Sequence, residues 1–214
     1  MQNLIFFLFF YALLYLLGRG ILISIGSLFK RKDILDLHIS AFPISTLNPI
    51  FALFYIGQLV LILNFFTKGV SELTFFLVLI PFIFNYKRPI KFKKLSYENL
   101  RIFAILSILS VSSNGITFHQ DAANYQLNNQ HYIRSEKIVA GLANLYSRYG
   151  FSSLSEYINS FFWLDNNFIF LHFVNLTFIS IFYIFLSWCI FSSDNFNFKL
   201  AAIFITLYGL LDNI

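Results

Sequence analysis

Six long apolar runs, separated by short polar segments, make up most of the chain. A helix that crosses a bilayer needs about 20 mostly apolar residues, and every run reaches or approaches that length. The predicted spans cover residues 4–29, 47–66, 72–86, 100–118, 167–191 and 200–211. The pattern therefore predicts an all-α fold, a polytopic transmembrane bundle of about six helices.

A few residues within these runs depart from the apolar pattern. Arg19 stands between two glycines in the first run, where a charge is costly in lipid unless it reaches the cytoplasmic face or points into the bundle. Pro49 fits the first turn of the second helix, whereas Pro81 is expected to kink the third. The single cysteine, Cys189, predicts an inert buried thiol and excludes an intrachain disulfide.

Residues 119–166 form the long segment of mixed polarity. Their apolar residues recur at helical spacing in two stretches. These are Ile138, Leu142, Leu145 and Tyr149, then Leu154, Tyr157, Ile158, Phe161 and Phe162. Ser153 and Glu156 have the spacing of a capping box, so we expect two amphipathic helices that lie on the outer membrane surface. The predicted organisation is four spans in 1–118, this loop in 119–166, and two spans in 167–214.

Composition and charge agree with a membrane location. Hydrophobic residues make up 58% of the chain and charged residues only 12%, against about 25% charged residues in soluble domains. The net charge of +5 does not indicate nucleic acid, because most basic residues occupy the gaps between apolar runs. Cytoplasmic loops carry such an excess. We therefore predict a multi-pass protein of the cell (inner) membrane, with the amino terminus and residues 119–166 extracytoplasmic.

The candidate chemistry lies in this predicted external loop. Asp121 follows the fourth span, where a carboxylate can act as a general base that deprotonates an acceptor hydroxyl; the alternative is a helix N-cap. His119 and His131 match no compact metal-ligand spacing, so we predict no metal and no cofactor. His172, within the fifth span, is a candidate because an intramembrane histidine is often functional, unless it only reaches the interface.

Three cations of the loop, Arg134, Lys137 and Arg148, are candidates for binding the phosphate of a lipid-linked donor. Contact with lipid head groups explains them equally well. The chain has no Walker-type glycine loop and no G-x-G-x-x-G after a strand. An ATP-driven pump and a soluble-type nucleotide-sugar transferase are therefore disfavoured.

The loop sequence DAANYQLNNQHYIRSEKIVAGLANLYSRYGFSS, from Asp121 to Ser153, resembles a family of uncharacterised bacterial multi-pass membrane proteins. Their shared stretch reads D-x-x-x-Y-H, a spacer, then V-P-G-L-A-N-L-H-x-R-x-G-F-N-S. The matching residues here are Asp121, Tyr125, Val139, Gly141, Leu142, Ala143, Asn144, Leu145, Arg148, Gly150 and Phe151. The departures are Gln126 and Tyr146 for the two histidines and Ala140 for the proline.

The layout is also similar to that of the GT-C membrane glycosyltransferases. In these enzymes the first external loop carries an acidic residue near the membrane and two surface helices. The resemblance implies sugar transfer from a polyprenyl-phosphate-linked donor to a glycan acceptor in cell-envelope assembly. Asp121 would be catalytic, and Tyr125, Arg134, Lys137 and Arg148 would bind substrate.

GT-C enzymes are much longer than this chain, so we expect it to be the amino-terminal part of a longer protein. The alternatives are a polytopic transporter or flippase, and a non-catalytic or truncated membrane protein. A transporter needs polar residues along a path through several spans. Few are present beyond Arg19, Asn64, His172 and Asn175.

Overall fold

The computed structural model describes residues 2–31, 34–39, 42–88, 96–114, 126–138, 141, 144, 153–164 and 168–211, and 83% of these residues are helical. The α-helices in those ranges are α1 (Gln2–Leu28), α2 (Asn48–Asn64), α3 (Glu72–Phe84), α4 (Tyr97–Ser110), α5 (Leu127–Ser135), α6 (Leu154–Phe162), α7 (Ile169–Ser192) and α8 (Phe196–Leu211). Two short strands, β1 (His38–Ile39) and β2 (Phe42–Pro43), pair antiparallel between α1 and α2. The predicted helical class is confirmed.

Each predicted span overlaps a helix in the described part of the chain, but the helices differ in length. Only α1, α2 with its preceding 3-10 turn, and α7 are both long and apolar enough to cross a membrane, among the residues that the structure describes. At about 1.5 Å per residue, the 13 residues of α3 cover only about 20 Å of a hydrocarbon core roughly 30 Å thick. The structure therefore shows three candidate membrane helices, and the predicted count of six is not confirmed.

Helix α1 lies at the centre of the bundle and packs against α2, α3, α4 and α7. Phe7 is fully buried, and its ring centroid lies 5.3 Å from that of Phe173 on α7. Helix α8 packs on α7, where Ala202 is buried near Leu186 and Cys189. The prediction of a buried thiol is confirmed.

Two glycines let neighbouring helices approach α1 closely. A Cβ on Gly18 would overlap the carbonyl oxygen of Asn48, at the start of α2, and a Cβ on Gly20 would overlap that of Pro81 on α3. Small residues at such crossings allow backbones to meet inside a membrane bundle. The Gly-Arg-Gly segment of the sequence is therefore the place where α1 contacts both neighbours.

Arg19, between these glycines, points into the bundle and is 9% exposed. Its Nη1 donates to Oδ1 of Asn85 at 2.8 Å, and its Nη2 donates to the carbonyl of Arg88 at 2.6 Å. Asn85 in turn donates through Nδ2 to the carbonyl of Leu16 at 3.0 Å. Of the two positions that the sequence left open for Arg19, the structure shows the inward one.

Local sequence signals explain where several helices begin. Pro49 occupies the first turn of α2, as predicted. The Ser71 side chain caps α3 in a capping box with Thr74, and Ser153 and Glu156 form the predicted box at the start of α6.

The structure has a short helix, α5 at Leu127–Ser135, that the sequence pattern did not indicate. The first of the two predicted amphipathic helices, over residues 138–149, falls almost entirely outside the described residues. Of its described positions, Ile138 is not helical and Asn144 is helical, so that helix stays a prediction. Helix α5 buries mainly polar side chains, Asn129 and Gln130 with Ile133, so it has no apolar period to detect.

The helix ends gather at two ends of the bundle. One of them carries α5 and α6, and we call it the platform end. There the start of α1 meets the end of α4, because Asn3 donates through Nδ2 to the carbonyl of Ser113 at 3.1 Å. The start of α7 lies there too, because His172 Nε2 is 3.4 Å from Ser112 Oγ. At the other, the basic end, the start of α4 meets the end of α7, because Arg101 donates to the Ser187 carbonyl at 3.4 Å. Helices α1 and α7 therefore run in one direction and α4 in the opposite one.

Candidate functional site

The candidate site is built on a platform, which we define as α5 and α6 together. Helix α6 packs its apolar face, with Tyr157, Ile158 and Phe161 buried, against α2. Gly57 lies beneath it, since a Cβ there would come within 2.7 Å of Ile158 Cγ1. Because Gly57 has no side chain, α6 packs directly against α2.

Helix α5 is bound to the last residue of α2. The buried Asn64 side chain donates through Nδ2 to the carbonyls of Glu136 at 2.8 Å and Ile133 at 3.3 Å. The Asn64 carbonyl accepts from the N–H of Ile138 at 2.9 Å, and Gly69 donates its N–H to the Ile133 carbonyl at 2.8 Å. These bonds satisfy carbonyls at the end of α5 that lack helical partners, so they fix α5 at the platform end.

Two side-chain bonds join α5 to α6. Asn129 donates through Nδ2 to Oε2 of Glu156, and Arg134 donates through Nη1 to the Ser160 carbonyl at 2.7 Å. The second bond serves a carbonyl in the last turn of α6, where a cation also interacts favourably with the helix dipole. The platform is therefore one polar-linked pair of helices.

The surroundings of Glu156 shift the pKa of its carboxyl. Burial raises the pKa of its carboxyl above the ordinary value, while hydrogen bonds from the Ser153 N–H and the Asn129 amide act in the opposite direction. Burial also raises the pKa of the neighbouring Tyr157 hydroxyl, and the Glu156 charge adds to that rise. The sequence reasoning identified Glu156 as a capping residue and gave no sign of its bond to Asn129.

The structure describes two of the five predicted site residues. Arg134 is half-buried on α5, with its Nη1 on Ser160, and Lys137 is exposed just after the helix. Asp121, Tyr125 and Arg148 lie outside the described residues. The structure thus places the two cations near the end of α5, and their relation to the other three residues stays a prediction.

None of the described histidines belongs to a cluster that could bind a metal ion. His131 is exposed, with its ring centroid 6.2 Å from that of Trp163, and His172 neighbours Ser112. His119 lies outside the described residues. Within the part that the structure describes, no three His, Cys, Asp or Glu side chains come together in a way that could hold a metal ion.

Sequence reasoning missed two residues that position the platform, Asn64 and Gly57. Asn64 ends an apolar run, where a polar residue ordinarily marks only a helix terminus. Gly57 is one glycine in an apolar helix, and such residues often mark close packing.

The chain matches no protein-family model, no curated protein and no solved structure. A function therefore has to be inferred from these residues and their geometry.

Proposed function

We propose that the chain is a six-crossing membrane protein whose platform end lies on the extracytoplasmic side and takes part in sugar transfer from a polyprenyl-phosphate-linked donor. The observation that carries the proposal is the platform. Two short helices from the loop that begins with the Asp121 segment are fixed on α2: α5 by Asn64 at its end and α6 by close packing at Gly57 in its middle. This is the arrangement that the GT-C resemblance implies.

The distribution of cations supports the orientation. Lys30 and Arg31 follow α1, Arg88 follows α3, and Arg101 lies in the first turns of α4, all at the basic end. Short cytoplasmic loops carry this excess of Lys and Arg. The helix directions then bring the platform, the start of α1 and the start of α7 to the outer side.

The proposed chemistry is the replacement of a phosphate by a hydroxyl oxygen at the sugar's anomeric carbon. Asp121 takes the proton of the acceptor hydroxyl, whose oxygen forms the new bond to that carbon. The bond from the carbon to the phosphate oxygen breaks, and the lipid phosphate leaves with the electron pair. Arg134, Lys137 and Arg148 stabilise that anion, and Tyr125 contacts the substrate.

Arg134 suits this role because its position is fixed. Its Nη1 donates to the Ser160 carbonyl at 2.7 Å, which fixes the guanidinium beside the last turn of α6. A fixed planar fork can bind phosphate with less loss of side-chain entropy than a mobile lysine. We therefore expect Arg134 to orient the donor and Lys137 to add charge.

The test is sugar transfer by the chain in lipid nanodiscs, with a radiolabelled polyprenyl-phosphate sugar as donor. Asp121→Asn should lower the rate by about a hundredfold or more, as expected when a general base is lost. The control is Asp194→Asn, the same change at an exposed aspartate between α7 and α8. Equal rates for Asp121→Asn and the wild type would remove Asp121 from catalysis.

Lys137→Gln tests the role of the cations in donor binding. This variant should raise KM for the donor several-fold with a smaller effect on kcat, because the charge attracts phosphate before the reaction. Lys68→Gln removes an exposed charge between α2 and α3 and should leave KM unchanged. Equal effects of the two variants would indicate general attraction by the outer surface.

The alternative functions differ in what the wild type does. A flippase moves the donor across the bilayer without sugar transfer. A non-catalytic protein does neither. No described contact favours a path through the bundle, since Arg19 and Asn64 donate to backbone carbonyls of neighbouring segments. Donor movement without transfer would contradict the enzyme proposal.

A further inference from the structure

A cavity of about 610 Å³ opens at the basic end, beside the last turns of α1. The described residues that line it are Ile23, Gly26, Ser27, Lys30, Arg31, Ile34 and Arg88. Three of these residues are cationic, and none of these lining residues is a carboxylate. Two isoleucines give the same cavity an apolar side. Its volume lies within the range of about 300–1,000 Å³ that is typical of ligand pockets.

The backbone at Lys30 adopts a conformation that favours glycine. Its φ is +55°, and it is the only non-glycine residue with positive φ among those described. Arg31 donates its N–H to the Gly26 carbonyl at 2.7 Å, and Lys30 donates to the Ser27 carbonyl at 3.4 Å. This is the Schellman ending of a helix, in which glycine usually occupies the left-handed position. A lysine there places a cation at the cavity despite a backbone cost, and such costs concentrate at functional sites.

Two further contacts fix the other cations. A Cβ on Gly26 would come within 2.6 Å of the Arg31 carbonyl oxygen, so the glycine lets the chain fold back over the end of α1. The Arg88 carbonyl accepts from Arg19 Nη2 at 2.6 Å. That bond holds the backbone of Arg88 and brings a fourth cation, the Arg19 guanidinium, close to the cavity.

We infer that this cavity binds the phosphate of an anionic glycerophospholipid. Cations beside an apolar wall suit a molecule with a phosphodiester head and acyl chains, and basic pockets at the ends of membrane helices bind such head groups. Inorganic phosphate shares the charge but gains nothing from the isoleucines. The inference requires α1 to lie in a membrane, and it does not require the glycosyltransferase activity proposed for the opposite end.

The test is lipid binding by the full chain, delipidated in a non-ionic detergent and examined by native mass spectrometry. Phosphatidylglycerol is the anionic probe, phosphatidylcholine is the neutral one, and inorganic phosphate is the competitor. The wild type should retain phosphatidylglycerol in preference to phosphatidylcholine. The double variant Lys30→Gln/Arg31→Gln should weaken phosphatidylglycerol binding by roughly 25-fold, at about fivefold per cation.

The matched control is Lys68→Gln, which removes one exposed charge at the platform end and should leave binding unchanged, whereas the single variant Lys30→Gln should weaken it about fivefold. Equal weakening by these two single variants would overturn the site, because it would indicate attraction to net charge. Equal retention of the two lipids by the wild type would overturn it too. Displacement of the lipid by low millimolar phosphate would identify free phosphate as the ligand and overturn the lipid assignment.

Lys30→Gly separates binding from folding. Glycine relieves the left-handed conformation, so this variant should unfold at a higher temperature than the wild type while binding phosphatidylglycerol about fivefold more weakly. If Lys30 had only a structural role, Lys30→Gly would raise the unfolding temperature without weakening phosphatidylglycerol binding. Wild-type affinity in Lys30→Gly would exclude its ammonium group from the site. None of these measurements depends on sugar transfer.

Discussion

Arg19 shows how a single charge is accommodated within a long apolar helix. Removing a guanidinium from water is costly unless its N–H groups find partners. Here Asn85 and the Arg88 carbonyl accept from it, and Asn85 returns a bond to the backbone of α1. The charge therefore joins α1 to the end of α3.

Gly18 gives a testable expectation at the same scale. Gly18→Ala should destabilise the chain by about 3 kcal/mol, because the added Cβ meets backbone at Asn48, which cannot move aside without shifting α2. The measurement is thermal or urea unfolding in detergent micelles.

The control for Gly18→Ala is Gly209→Ala on α8. Its Cβ would lie 2.9 Å from the Tyr183 hydroxyl, the end of a flexible side chain that can rotate away. The change should therefore stay within about 1 kcal/mol, the size of the helix-propensity gain. Similar stabilities of both variants would show that the α1–α2 crossing tolerates a wider separation.

Among the elements, α6 and α5 show which local signals a sequence carries. Helix α6 was predictable because its capping box, at Ser153 and Glu156, directly opens its apolar period. Helix α5 was not, because Asn64 and Gly69, which are more than 60 residues earlier, supply the partners of its last carbonyls. A helix whose hydrogen-bond partners are distant polar groups needs no apolar periodicity in its own sequence.

The pH dependence of the platform follows from Glu156. Its pKa in the folded chain is raised, so folding favours the protonated carboxyl. The stabilisation is present in full below about pH 4.5, the ordinary value, and is lost as pH rises through the folded pKa. Unfolding temperature of the wild type should therefore decline over that window.

Glu156→Gln should remove this decline. Both hydrogen bonds to the carboxylate go to Oε2, so one amide oxygen can accept them in the variant. Its unfolding temperature, followed by tryptophan fluorescence, should equal or exceed that of the wild type near neutral pH. Glu136→Gln, at an exposed carboxylate, is the control. An unchanged decline in Glu156→Gln would exclude Glu156 as its source.

For the whole molecule, the outward surface is as informative as the core. Five helices each carry a large aromatic side chain that is between 41% and 66% exposed. These side chains are Phe9, Phe54, Phe76, Phe178 and Phe204. In water such a surface would aggregate, whereas in lipid it is favourable. Apolar composition predicts a membrane location, and three described helices are long and apolar enough for it. The number of crossings depends on whether α3, α4 and α8 also cross.

Cysteine labelling in intact cells distinguishes three crossings from six. In a Cys189→Ser background, Thr67→Cys should react with a membrane-impermeant maleimide from outside. Ser96→Cys, between α3 and α4, should react only after permeabilisation, because six crossings place it inside. Asn195→Cys is inside under both counts and serves as the control. External labelling of Ser96→Cys would mean that α3 and α4 do not cross, as expected if only α1, α2 and α7 do.

The bond between Asn64 and α5 has a consequence for how the protein is made. Its two acceptor carbonyls lie 69 and 72 residues further along the chain. At a synthesis rate of about 5–20 residues per second, α2 waits roughly 3 to 14 seconds before they exist. During that interval an amide without these partners favours the water-exposed border of the bilayer. We therefore expect α2 to keep its last turn at that border until the segment that carries α5 has been made.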